Sequence, residues 1–188
     1  MNKALCLLLF VASCFRGFAA DSAIPEPDVS FFTKLRMDYS QRKDFEPRWE
    51  SDPAHEAVVA AYDANDYKRV VTLSKVWLAT CPVDANGHMM LATAAKDLGD
   101  LKTYMHHLFF AYGLMQSVMQ SGDGLTPKTA FKVISVSEEY SVIFKSGADI
   151  TNQSLVGGPC DKMDCKLPNG KAITLYFDVS IPMKALPK

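Results

Sequence analysis

QSGDGLTPKTAFKVISVSEEY, residues 120–140, divides the chain into two kinds of pattern. Upstream, apolar residues recur at helical spacing; downstream, they alternate as in strands. Gly122-Asp123-Gly124 admits positive φ at two positions and closes a long helix running through Met119. Thr126-Pro127 reads as the N-cap and first position of one helical turn, and Phe131 to Val136 as a short strand. Ser135-Val136-Ser137-Glu138 is a capping box, in which Ser135 accepts from the helix start and Glu138 reaches back to the N-cap N–H, a device worth about 1 kcal/mol. The helix it opens carries Val136, Tyr140, Ile143 and Phe144 on one face and stops at Gly147. The stretch therefore reads as a mechanical joint and not as a site of chemistry.

Beyond the joint, Gln153 to Val156 is a strand candidate, and Asp164–Leu167 and Ala172–Ile181 flank the hairpin signal Pro168-Asn169-Gly170. In the last of these, Ile173, Leu175, Phe177, Val179 and Ile181 share one face, which needs a cover.

Before the joint, Ala60, Ala61, Asp63, Asp66 and Lys68 recur as Ala94, Ala95, Asp97, Asp100 and Lys102, each displaced by 34 positions. That is the period of tetratricopeptide helix pairs. Asp52 with Pro53 opens the first pair, Asn65-Asp66 turns it, and Pro82 follows it; Gly99-Asp100 turns the second. Trp77 stands where such a repeat has a small residue, and Gln116 where it has its second proline. Two pairs cannot bury their own faces, so the flanks must cap them. Upstream, a helix from Ser30 to Tyr39, capped by Asp28 or Ser30, offers the stripe Phe32, Leu35 and Tyr39.

The first twenty residues, with Lys3, the apolar run Ala4–Ala12 and a small-residue end, read as a secretory signal peptide cut after Ala19 or Ala20. Val11-Ala12-Ser13-Cys14 offers the alternative of a lipoprotein anchored through Cys14. The expected organisation is thus 1–20 leader, 21–120 helical repeat, and 121–188 an α+β part packed on it, with an antiparallel sheet and one helix. A mature chain of about 168 residues, 188 less 20, can bury roughly 70% of its unfolded surface and hold a real core. A net charge of −1 provides no field to draw it to nucleic acid or an anionic membrane. The expected location is periplasmic or secreted.

With these residues in hand the chain resembles an uncharacterised family of exported bacterial proteins, the domain-of-unknown-function family numbered 4919. The resemblance rests on Leu35-Arg36, Tyr39-Ser40, Phe45 and Pro47; on Ser121-Gly122-Asp123-Gly124 with Thr129-Ala130-Phe131; on Val133-Ile134-Ser135-Val136 with Glu138-Glu139-Tyr140; and on Gln153-Ser154-Leu155-Val156 and Tyr176-Phe177-Asp178. It implies an architecture and a compartment, without an activity.

The chemistry-bearing residues are few. Of the cysteines, Cys81, Cys160 and Cys165 remain after processing, and Cys160 with Cys165 is the expected disulfide, since no second Cys or His pair is spaced to complete a zinc site. Cys81 ends a helix, where the dipole raises a thiol's pKa. His106 and His107 are adjacent, about 100° apart on a helix, and no metal is expected. Three carboxylates are the weak catalytic candidates. Asp123 is flanked by glycines, and Glu139 and Asp178 have no visible cap or core role. No cofactor is implied. The expected function is a non-catalytic module that binds a protein or peptide of the cell envelope; the opposing reading is a carboxylate-based envelope hydrolase using Asp123, Glu139 or Asp178.

Overall fold

The computed structural model describes residues 25–185. Their elements run α1 (Val29–Ser40), α2 (Pro53–Asp63), α3 (Tyr67–Thr80), α4 (Ala85–Asp97), α5 (Leu101–Met119), β1 (Phe131–Lys132), α6 (Val136–Lys145), β2 (Asp149–Val156), β3 (Cys160–Lys166), β4 (Ala172–Asp178) and α7 (Ser180–Ala185), with 3-10 turns at Trp49–Ser51 and Pro127–Thr129. The fold is α+β. The expected signal peptide and the alternative anchor at Cys14 fall outside the described residues.

Side chains of Asp28, Asp52, Asp66, Asp84 and Asp100 cap the five helices of the first half, each accepting a backbone N–H of the first turn. The 34-residue displacement reappears in the backbone. Asp66 N–H donates to Ala61 O at 2.9 Å and Asp100 N–H to Ala95 O at 2.8 Å, and the helices end on positive φ at Asn65 (54°) and Gly99 (78°). From α2 to α6 consecutive helices pack on one another, and α1 lies against α5. There a Cβ on Gly113 would stand 2.1 Å from the Phe32 ring, so only glycine lets the two helices approach this closely. The side chains α1 buries are Phe32, Arg36 and Ser40, one position round from the expected stripe; Leu35 and Tyr39 pack half-buried at its edge.

The sheet has four strands in the order β1-β4-β3-β2. It is mixed, not antiparallel throughout, because β1 pairs in parallel with β4. β2 is longer than expected, starting at Asp149 with a bulge between Ile150 and Asn152, and β3 extends back to Cys160. β4 stops at Asp178, whose carboxylate takes Ser180 N–H at 3.0 Å and starts α7 in place of a longer strand.

These strand limits overturn the expected disulfide. Cys160 and Cys165 are unbonded, as is Cys81. Both sit in β3, where an odd separation puts side chains on opposite faces. Five steps of about 3.3 Å leave the Cα atoms roughly 16 Å apart, whereas a disulfide spans about 4.4–6.8 Å.

One core fills the helical half around Phe32, Trp49, Trp77, Leu91 and Leu114. A second, around Met163, Leu175, Phe177, Val142 and Ile143, lies between the sheet and α6. The halves interpenetrate: Ile134 enters the first core, and Met115 and Val118 of α5 enter the second. At the joint, Gly124 has φ +66°, but Gly122 does not have a positive φ; it is required because a Cβ would meet Thr129 O at 2.4 Å and Ala130 O at 2.6 Å.

Candidate functional site

Helix α6 differs most from expectation. Ser135 caps it as read, accepting Glu138 N–H at 3.2 Å. Yet the face it buries is polar, comprising Ser137, Glu138, Glu139 and Ser141 beside Val142 and Ile143, while Phe144 is 73% exposed. Each buried polar group therefore needs a partner or a protonation state that tolerates burial.

Glu138 has both. Instead of reaching back to Ser135, it accepts Ile134 N–H at 2.8 Å and receives Arg36 Nε and Nη2, each at 2.6 Å. Arg36 also donates to Ser117 Oγ at 3.2 Å and Lys132 O at 2.9 Å, so one guanidinium from α1 touches α5, β1 and α6.

Glu139 has no such partner. It is 0% exposed, and neither carboxylate oxygen receives a hydrogen bond. Burial pushes its pKa up to about 9, reinforced by Asp161 and then by Glu138 and Glu50. Asp161 stands on the α6 side of β3 with Met163 and Cys165. Its Oδ2 accepts Gln153 Nε2 at 2.7 Å, and Gln153 Oε1 accepts Tyr140 Oη–H at 3.0 Å, which links β3, β2 and α6.

A second polar group borders it. Asp84 takes Trp77 Nε1–H at 2.8 Å and Asn86 N–H at 3.1 Å, and lies 3.4 Å from His55 Nε2. His55 Nδ1 is 3.2 Å from Glu50 O, and the Glu50 carboxyl is pushed up chiefly by burial. Asn86 Nδ2 donates to Ser137 Oγ at 3.5 Å, joining the start of α4 to α6.

Of the three expected carboxylates, then, only Glu139 is in an electrostatically strained place. Asp123 accepts Leu125 N–H at 2.9 Å in its turn, and hydrogen bonding, first from Thr129, holds its pKa below the usual range. Asp178 caps α7. Neither is among the groups that perturb Glu139, whose carboxyl neighbours are Asp161, Glu138 and Glu50. Sequence reasoning missed Arg36, Glu50, His55, Asp84 and Asp161, because their grouping is wholly long-range; Asp84 alone gave a local signal, as a helix cap.

Among the described residues no group of three or more His, Cys, Asp and Glu is arranged to hold a metal. His88 and His107 face each other, Nδ1 to Nδ1 at 2.9 Å, with His88 Nε2 3.1 Å from Pro82 O. Burial lowers their pKa values to about 3 and about 4. The Cys81 thiol is pushed up to about 12, first by burial.

The model of a family described as a domain of unknown function (DUF4919) matches residues 19–187. No curated protein and no solved structure matches the chain.

Proposed function

The chain belongs to the DUF4919 family, which carries no activity to transfer, and from its architecture we propose that it is an exported, non-catalytic binding module of the cell envelope. Stacked helical hairpins of tetratricopeptide type, α2–α3 and α4–α5, form the binding body, and the sheet with α6 caps it. The 34-residue repetition of caps and turn residues supports this reading. The observation that carries it is that each carboxylate a hydrolase would use is occupied structurally or shut away. Asp123 closes a turn, Asp178 caps a helix, and Glu139 has no exposed surface from which to meet a substrate. The ligand class is an envelope protein or peptide, and the location is periplasmic or secreted.

Val76 and Leu101 project from the hairpins, each 64% exposed, and are positions for a photo-crosslinking side chain. Crosslinking in intact cells should capture the same envelope polypeptide from both positions and not from Lys171 in the β3–β4 turn. The second reading, an envelope hydrolase, is favoured by one observation, a carboxyl held neutral next to the carboxylate Asp161, as acid–base pairs require. Turnover of peptides or cell-wall fragments, lost in Glu139→Gln, would replace the first reading with the second. Edman sequencing of exported protein should start at Ala20 or Asp21; a lipid-modified Cys14 in the detergent phase would instead place the protein on a membrane.

A further inference from the structure

We propose that Glu139 and Asp161 share one proton, and that this proton fastens the β2–β3 hairpin to α6 as a pH-sensitive latch. The geometry is the argument. Glu139 is fully enclosed and both its oxygens lack a donor, an arrangement that strongly disfavours an ionised carboxylate. Asp161 stands next to it from the facing strand, with Oδ2 already taken by Gln153. A proton on Glu139 resolves both difficulties: it removes the buried charge and turns Glu139 into the donor that Asp161 lacks.

The groups facing Glu139 leave no other resolution. From β3 there is Asp161, with Cys160 beside it; from the 3-10 turn, Glu50, itself next to Asp84 ahead of α4; from α6, Glu138, already held by Arg36 and Ile134 N–H. The nearby contributions of α4, α5 and β2 are neutral: Asn86, Ser117 and Gln153. No cation among the described residues reaches its oxygens, since Arg36 is fully engaged.

The latch sits where release would be local. Asp161 lies one residue into β3, just past the Gly157-Gly158 turn, and β2 is the edge of the sheet. The Arg36–Glu138 pair holds α6 to the helical half independently. Losing the proton therefore frees the hairpin tip while leaving α6 seated. The sign follows from linkage. In the open hairpin Glu139 ionises like a free carboxyl, so opening grows easier as pH rises above that value, by at most about tenfold per pH unit, and levels off near the higher value of the closed state.

Two measurements on the full chain test this. Infrared spectra at neutral pH should show a protonated-carboxyl band that Glu139→Gln removes. Hydrogen exchange at the amides of residues 152–161, corrected for intrinsic rate, should speed up with pH in wild type, from mildly acidic to mildly alkaline, and show no such dependence in Glu139→Gln, whose amide donates to Asp161 at every pH. Asp161→Asn removes the like charge and should end the dependence at lower pH. An ionised Glu139 at neutral pH in wild type, or equal pH dependence in wild type and Glu139→Gln, overturns the proposal. If Glu139→Gln does not fold, the infrared band of wild type and the Asp161→Asn shift decide between the same outcomes.

Discussion

Arg36 and Glu138, 102 positions apart, form a two-pronged ion pair in which Nε donates to Oε1 and Nη2 to Oε2, each at 2.6 Å. Both side chains are almost wholly buried. Such a pair contributes little net stability against an apolar substitute, because desolvating both charges offsets their attraction, but losing one partner strands the other. It ties α1 of the helical half to α6.

Arg36→Met should therefore cost about 3–5 kcal/mol in urea unfolding, through the stranded Glu138 carboxylate. Arg36→Met with Glu138→Gln should recover a good part of that loss, since the amide is neutral and still accepts Ile134 N–H. The double-mutant cycle measures the coupling. A double variant no more stable than Arg36→Met would refute the account.

At the joint, Asp123→Asn should change stability by less than about 1 kcal/mol, because an amide oxygen still accepts Leu125 N–H. Gly124→Val should cost more than about 2 kcal/mol. Its φ is +66°, and a Cβ there would lie 2.3 Å from the Phe131 ring. Thermal unfolding of the two variants provides the comparison.

Cys81, Cys160 and Cys165 should appear as free thiols in a non-reduced digest: none is bonded, and the Cys160–Cys165 separation along β3 exceeds any disulfide. In the native state Cys81 should resist alkylation longest. It is buried and its thiolate is suppressed up to about pH 12. A linked peptide containing Cys160 and Cys165 would mean that β3 is not a continuous strand.

His88 gives stability an acid limb. Its folded pKa, near 3, lies below the ordinary 6.5, so its contribution is complete above 6.5 and is lost as pH falls toward 3. The slope is at most about 1.4 kcal/mol per pH unit. His88→Phe keeps the stack on Phe110, whose ring lies 5.1 Å away, and should flatten this limb while lowering stability at neutral pH through the lost contact with Pro82 O. Chemical denaturation at several pH values checks both effects.

What could be read from sequence was local. The caps Asp52 and Ser135, the turns at Asn65-Asp66, Gly99-Asp100 and Pro168-Asn169-Gly170, and the helix pairs all depend on residues within a few positions of one another. Helix α6 shows the limit. Apolar periodicity pointed Val136, Tyr140, Ile143 and Phe144 inward; only Ile143 is buried, and Phe144 stands in solvent. Periodicity assumes that water lies on the polar side of a helix. Here that side meets Arg36, Asn86 and Asp161, contributed from up to 102 positions away, and nothing in a local window couples residue 36 to residue 138. The disulfide failed for a related reason: five intervening steps suit a loop, and the strand turned out to start four residues earlier than its apolar pattern showed.

Strand β4 is the last of the described strands but lies inside the sheet, with β3 on one side and β1 on the other. During synthesis the helix pairs can close as soon as they emerge, since their contacts are local. Phe131 and Lys132 must wait for Phe177 and Asp178, so β4 completes the second core. Until β4 joins, the chain is half native, with the cover of its sheet in place and the middle of the sheet missing.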